Sequence, residues 1–341
     1  MKTVRKFSTL FILLLVLTLF PSPDIQDNAS VLPGAMQVQA AGFTGWKANR
    51  TGKYYYQNGQ KLKGLRRIRN AYYAFDSSGR MLTGWQYIRG HYRYFGRQTG
   101  KMRANVTVQG RKIDAQGIWT PVVVLDPGHS GVTAQGTEPL GPGSPEQKAR
   151  DNPGTQGIAT GVPEYQLTLT VAKKLSILLK KQGCKVFLTR TDHKTAKSCR
   201  QRAAFANGKK ADAYIRIHAN SFTSQQAAGA RTVCVTAANP YLTSKQIKSS
   251  YSLSEAVLNA YVKSTGCFKE KVWETDTMTG NNWSKVPTTL IELGYMSNPA
   301  EDRLMQTAAY QQKMIRGISK GIRTFFLNHN HRLSRWFALP L

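Results

Sequence analysis

Two histidines and two glutamates in this chain stand where a metal-assisted hydrolysis needs them. Val122-Val123-Val124-Leu125 reads as a buried strand, and Asp126-Pro127-Gly128 breaks it sharply. His129 is thereby delivered at a strand's carboxyl end, the edge at which open α/β sheets place their ligands. Tyr214-Ile215-Arg216-Ile217-His218 runs the same way into Ala219-Asn220-Ser221, and Thr288-Thr289-Leu290-Ile291-Glu292 into Leu293-Gly294-Tyr295. Glu164 follows Pro163, a residue favoured in a helix's first turn, and shares a stripe with Leu167 and Val171. A carboxylate on a buried stripe is costly without a cation or metal. An acid at a helix start is also favoured by the helix dipole alone. Glu138 and Glu146 are rival ligands, but they lie in Gly/Pro-rich surroundings rather than on an apolar stripe.

Two neutral imidazoles and one carboxylate make a catalytic zinc set that leaves a fourth position for water, with ligand distances of roughly 2.0–2.2 Å. Zinc lowers the pKa of that water from 15.7 to about 7 and polarises the carbonyl under attack. Glu292, at the tip of an apolar strand, is then the natural general base, because partial desolvation raises a carboxylate's pKa towards the useful range. Strand alternation puts Arg216 on the face of His218. There it either binds a substrate carboxylate or pairs with Asp192 or Asp212.

The elements that must hold these residues alternate. Strands are expected at 122–125, 186–189, 213–217 and 289–293, and helices at 167–181, 200–207, 252–263 and 306–328. This pattern predicts a three-layer α/β domain over residues 121–328. The stretch from Gly131 to Val162 holds Gly141-Pro142-Gly143 and Asn152-Pro153-Gly154. A loop that long suggests a wall for a substrate groove.

Residues 42–105 have another texture, in which aromatics and glycines recur about every twenty residues. Gly45-Trp46 is echoed by Gly64-Leu65 and Gly84-Trp85. Tyr54-Tyr55-Tyr56 is echoed by Tyr72-Tyr73 and by Tyr92 with Tyr94. Asn58-Gly59, Ser78-Gly79 and Thr99-Gly100 supply turns. These predict a small β-hairpin repeat solenoid. Residues 106–120 read as a linker or a final hairpin, and residues 329–341 as a tail carrying Trp336, Phe337 and Leu339.

Lys2, Arg5 and Lys6 precede the apolar run Leu10–Phe20, which is short for a bilayer and is followed by Pro21 and Pro23. Residues 1–40 therefore read as a secretory signal peptide, with an uncleaved anchor as the alternative; the signal reading implies no stable transmembrane segment after processing and a secreted or cell-wall location. The net charge of +30 predicts a polyanionic partner. In an exported chain, wall phosphate polymers or anionic lipid headgroups come before nucleic acid. Cys184, Cys199, Cys234 and Cys267 form no C-x-x-C, which argues against a zinc knuckle. Export permits disulfides, and Cys184 also fits as a small buried hydrophobe.

Leu-Asp-Pro-Gly-His at 125–129, Pro-Glu-Tyr at 163–165, Ile-His-Ala-Asn-Ser at 217–221 and Ile-Glu-Leu-Gly-Tyr-Met-Ser-Asn-Pro at 291–299 resemble, in order, the zinc-dependent N-acetylmuramoyl-L-alanine amidases of bacterial cell walls. The resemblance runs from about Val122 to Phe326 and implies a mixed sheet with flanking helices. It implies Zn2+ held by His129, Glu164 and His218, with Glu292 as catalytic acid/base. It also implies peptidoglycan as substrate, cut at the amide between N-acetylmuramic acid and the L-alanine of the stem peptide. Arg202, Asn207 and Asn220 fall where the family has recurrent residues, which makes Asn220 a candidate substrate contact beside Arg216. The repeats resemble choline-binding and glucan-binding wall modules. The second Trp of a choline cage is missing, with Tyr54, Ala71 and His91 near its places, and residues 41–115 hold sixteen Lys or Arg against Asp76 and Asp114. An anionic wall polymer or a glycan fits better than choline. The rival readings are a zinc peptidase acting on the stem peptide and a catalytically inactive wall-binding protein.

Overall fold

The computed structural model describes residues 42–328. The signal-peptide segment 1–40 and the tail 329–341 lie outside the described residues.

The aromatic repeats form antiparallel hairpins. β1 (Gly45–Asn49), β2 (Gly52–Gln57) and β3 (Gln60–Lys61) make one small sheet, and β4 (Gly64–Ile68), β5 (Ala71–Phe75) and β6 (Met81–Leu82) a second. β7 (Gly84–Ile88) pairs with β8 (His91–Phe95), and β9 (Val106–Val108) with β10 (Arg111–Ile113). The segment 106–120 is thus a further hairpin rather than an open linker. No hairpin buries its own face. Ile68, Tyr73 and Phe75 pack with Met81 of their own sheet and with Trp46 and Tyr55 of the preceding one.

The later hairpins do something different. Trp85, Tyr92, Ile113 and Trp119 are buried in the same core as the helices that follow. Phe326 meets Tyr92 edge-on at 5.6 Å and Trp119 at 5.2 Å between centroids. The Arg111 guanidinium lies 4.1 Å from the centre of the Trp119 ring and donates to the Phe326 carbonyl at 2.8 Å.

From β11 (Val122–Pro127) the chain becomes α/β. A short hairpin, β12 (Thr137–Pro139) with β13 (Gln147–Ala149), precedes α1 (Glu164–Lys181) and β14 (Lys185–Leu188). Then come α2 (Cys199–Gly208), β15 (Ala213–Asn220), β16 (Ala230–Cys234), α3 (Ser244–Thr265) and β17 (Lys269–Glu274). A short turn of helix, α4 (Thr279–Asn282), leads to β18 (Thr288–Tyr295), α5 (Pro299–Gln306) and α6 (Ala308–Asn328). The six-stranded sheet has the order β14-β11-β15-β18-β16-β17. It is mixed because β16 runs antiparallel to β18, whereas β11, β14, β15 and β18 are parallel.

Alternation along the buried strands feeds two faces. Val123, Leu125 and Ile215 join the core under α1, α3 and α6, while Val124 and Tyr214 join Ala206 on the α2 face. α6 approaches α3 closely through two glycines one turn apart. A Cβ at Gly317 would come within 2.7 Å of the Tyr261 Cα, and one at Gly321 within 2.5 Å of the Val257 Cα. β16 and β17 have no counterpart among the expected strands. Their sequences, ARTVC and KEKVWE, interleave charges because they approach the sheet's edge. The helix expected at 252–263 begins earlier, where Thr243 and Gln246 form a capping box.

Candidate metal centre

The site lies beyond the carboxyl ends of the parallel strands. Asp126, near the end of β11, is fully buried and accepts bonds from Thr189, Tyr214, Arg202 and Arg216. Burial opposes its charge, but Arg202 and Arg216 outweigh burial and hold the carboxyl well below the usual range. Arg202 continues to the carbonyls of Pro127, at 2.9 Å, and His129, at 3.0 Å. Arg190 donates to the carbonyls of Pro127 and Gly128. Two buried guanidiniums thus clamp the turn that carries His129, whose φ of 56° is left-handed and uncommon for a side chain of this size.

Three donor atoms converge there. His129 Nε2 lies 3.3 Å from Glu164 Oε1, and His218 Nδ1 lies 3.1 Å from both. His129 Nδ1 is 2.8 Å from the Asn152 carbonyl. It therefore donates, so the neutral ring that a metal would require turns its Nε2 lone pair to the cluster. The Glu164 carboxylate, at the first residue of α1, is buried and oriented by the backbone N–H groups of Thr155 at 3.0 Å and Ala219 at 3.1 Å. Atoms bound tetrahedrally at about 2.0–2.1 Å lie roughly 3.3–3.4 Å apart, so this triangle matches a zinc ion.

Two glycines make room for it. A Cβ on Gly128 would fall 2.3 Å from His218 Cε1, and one on Gly154 would fall 2.8 Å from Glu164 Oε2. His218 Nε2, Glu292 Oε2 and Asn220 Nδ2 are buried without a hydrogen-bond partner among the described residues. All three residues line one cavity of about 450 Å³, so a bound group must satisfy these atoms.

The charges follow from these contacts. Burial disfavours the His129 imidazolium, but the carboxylates of Asp151 and Glu164 prevail and raise its pKa to about 10. His218 moves the other way, to about 4, because burial dominates and Glu164 only partly offsets it. Burial, then the negative charge of Glu164, pushes the Glu292 carboxyl up to about 8. Glu292 stands across from His218 in the β15–β18 register, on the cavity side.

The other candidate residues separate by their contacts. Glu138 is buried, but it accepts from the Arg200 N–H, and Glu146 pairs with Lys148 on the surface; neither joins the cluster. Arg216 lines the cavity, yet its partners are Asp126 at 3.3 Å and Asn281 at 3.2 Å. Neither Asp192 nor Asp212 holds it. Asp192 caps its own turn at Lys194 and Thr195, and Asp212 accepts from the Val122 N–H. Asn207 holds the 283–285 turn through Trp283 and Lys285. All four cysteines are free, and Cys184 is buried. The long loop walls the cavity with Asp151, Asn152, Gly154 and Thr155.

Sequence reasoning missed Asp126, Asp151 and Arg190. Asp126 stood inside the motif that was read only as a strand breaker. A buried acid beside Pro-Gly was the available signal.

Fold and site together define an α/β domain with a metal-competent His-Glu-His cluster at the carboxyl edge of its parallel strands. Residues 123–324 match the family model of N-acetylmuramoyl-L-alanine amidase, and residues 62–106 match that of a choline-binding repeat. The N-acetylmuramoyl-L-alanine amidase AmiA of Escherichia coli (strain K12) is 26% identical over 241 residues, covering 60% of this chain and 76% of AmiA. The probable cell wall amidase LytH of Staphylococcus aureus is 27% identical over 204 residues, covering 60% of this chain and 58% of LytH. Among solved structures, Ami1 of Mycobacterium smegmatis superposes with a TM-score of 0.55 at 25% identity, over 60% of this chain and 96% of Ami1. The amidase of Clostridium difficile 630 gives 0.51 at 26%, over 61% of this chain and 97% of that one. The chain belongs to the N-acetylmuramoyl-L-alanine amidases.

Proposed function

We propose that this chain is an exported, zinc-dependent amidase that cuts peptidoglycan between N-acetylmuramic acid and the L-alanine of the stem peptide. The observation that carries the zinc assignment is the triangle of His129 Nε2, His218 Nδ1 and Glu164 Oε1, with sides of 3.1–3.3 Å. Zinc held by these three supplies Lewis acidity towards an amide carbonyl and an acidified water.

The chain's own residues do the rest. Asn152 fixes the His129 tautomer, and Thr155 and Ala219 orient Glu164. Glu292 takes the proton of the attacking water and hands it to the departing alanine nitrogen, a role that fits its raised pKa and its place on the cavity. Asn220, with Nδ2 free to donate, is the substrate contact. Arg216 is engaged by Asp126 and Asn281, so its role is to position the β15 end rather than to bind a stem-peptide carboxylate.

The domain division that goes with this reading is a leader at 1–40, wall-binding hairpins over 42–105, a joining segment at 106–120, a catalytic domain over 121–328 and a tail at 329–341. The test is mass spectrometry of peptidoglycan digested with zinc-loaded protein. Stem peptides released with intact L-alanine amino termini, and abolished by chelator, support the amidase. Cuts within the stem peptide make it a peptidase. No product from folded, zinc-bound protein makes it a binding protein.

A further inference from the structure

We infer that the first hairpin sheet, β1–β3, binds a linear phosphodiester polymer of the wall, of the poly(glycerol phosphate) kind, and that the chain's own lysines occupy its aromatic faces against quaternary ammonium groups. The Lys53 ammonium sits 4.9 Å from the centre of the Trp46 ring, and that of Lys61 4.2 Å from Tyr54. Lys47 lies 4.4 Å from Phe43 and 5.3 Å from Tyr56. A choline headgroup is recognised by the same attraction between a cation and an aromatic face. Here each of these rings already carries a covalently attached cation, which a soluble one must displace.

A lysine differs from choline in one decisive respect. Its nitrogen keeps three N–H donors, and a phosphate oxygen accepts from them. Resting the ammonium on a ring also fixes a side chain that is otherwise costly to order on binding. The aromatics therefore act as seats for cations rather than as cages for a ligand.

The surroundings reinforce this. Of the fourteen Lys and Arg in residues 42–105, all but the half-buried Arg93 are exposed. The one carboxylate there, Asp76, is occupied by Arg80 and Ser78. The two-residue loops of successive hairpins begin with Arg50, Arg69 and Arg89. Arg69 and Arg89 hold φ of 52° and 51°, the left-handed region that Asn or Gly occupies at lower cost and that Asn58 occupies in the β2–β3 loop. Strain accepted in order to place an exposed charge points to a use for that charge. A neutral glycan would need open ring faces to stack on. In the first sheet Trp46 and Tyr54 carry lysines and Tyr54 is also buried, and further on Trp85 is buried, which leaves Tyr72 of the second hairpin as an exposed ring.

The wall-hydrolase reading enters only in the choice of polymer. The test is a titration of the full chain with poly(glycerol phosphate) at two salt concentrations. Free choline, dextran and double-stranded DNA of equal phosphate content serve as competitors. Binding is expected to weaken more than tenfold as salt rises about fourfold. It should survive excess choline and dextran. The triple change Lys47→Gln, Lys53→Gln, Lys61→Gln should lower the slope of log affinity against log salt by about 3. The charge-matched triple Lys245→Gln, Lys263→Gln, Lys313→Gln should leave it unchanged. Displacement by choline or dextran, an equal loss in the charge-matched triple, or equal binding of DNA would each overturn the inference. Turnover of a soluble muropeptide by the same samples, unchanged in both triples, separates a failure of this surface from a failure of the amidase reading.

Discussion

The arginines of the two regions are used in opposite ways. Around the metal centre, Arg190, Arg202 and Arg216 are buried, and each is matched to carbonyls or to Asp126. They carry no net message outward; they hold a strained turn and a strand end in place. In the first two hairpins, Arg50, Arg66, Arg67 and Arg69 are exposed. Arginine buried against an acid is scaffolding, and arginine left in water near a ring or a turn is a surface for a partner. Arg111 sits between these cases, buried on Trp119 and bonded to a carbonyl. It marks where the repeats stop being a separate texture and join the catalytic core.

The comparison is most sharply tested at the centre itself. Glu292→Gln is expected to lower kcat by about 10²–10⁴-fold, the range for a general base, with one zinc per chain retained by metal analysis. Loss of the zinc instead would make Glu292 part of the metal-holding set. Next comes the buried network. Asp126→Ala strands two guanidiniums and should cost about 3–5 kcal/mol in urea unfolding. Arg66→Gln in the repeats should stay within about 0.5 kcal/mol, and equal losses would erase the distinction between the regions. The intermediate case should give an intermediate value. Arg111→Met removes a buried hydrogen bond and a ring contact and should cost about 1–3 kcal/mol, against less than about 1 kcal/mol for Lys53→Met.

The smallest effect is one of pH on the metal-free protein. Glu292 is raised from 4.5 to about 8, so ionising it opposes folding. That cost is absent below about 4.5, where the group is protonated in both states, and complete above 8. His129, raised to about 10, contributes stability that is full below 6.5 and lost as pH rises through 10. Both predict a falling melting temperature from neutral to alkaline pH. Glu292→Gln should flatten the part below pH 8, and an unchanged slope would mean that the carboxyl is not desolvated.

Much of the centre was legible because its ligands sit at the ends of apolar strands, and a local pattern reveals that. His129, His218 and Glu292 needed only strand periodicity, and Glu164 needed a helix start beside Pro163. Asp151 and Asn152 were not legible, because they reach His129 through the path of a long loop and not through a period. β16 and β17 were hidden because strands near an edge carry charges that break the apolar run. The lysine seats were invisible for another reason. Which ring a flexible ammonium rests on depends on cross-strand geometry, as with Lys53, which lies on the strand paired with that of Trp46, two residues from its partner Tyr55.

The contact of Arg111 and Trp119 with Phe326 has a mechanical consequence. An enzyme that grips its wall through one end is pulled by the material it cuts. A pull on the hairpins would otherwise run straight into β11, the strand that leads to His129. The clasp lies just ahead of that strand and ties it to the last turns of α6. Such a pull would be shared with the helical layer, where α6 packs closely on α3, before it reached the candidate metal ligands.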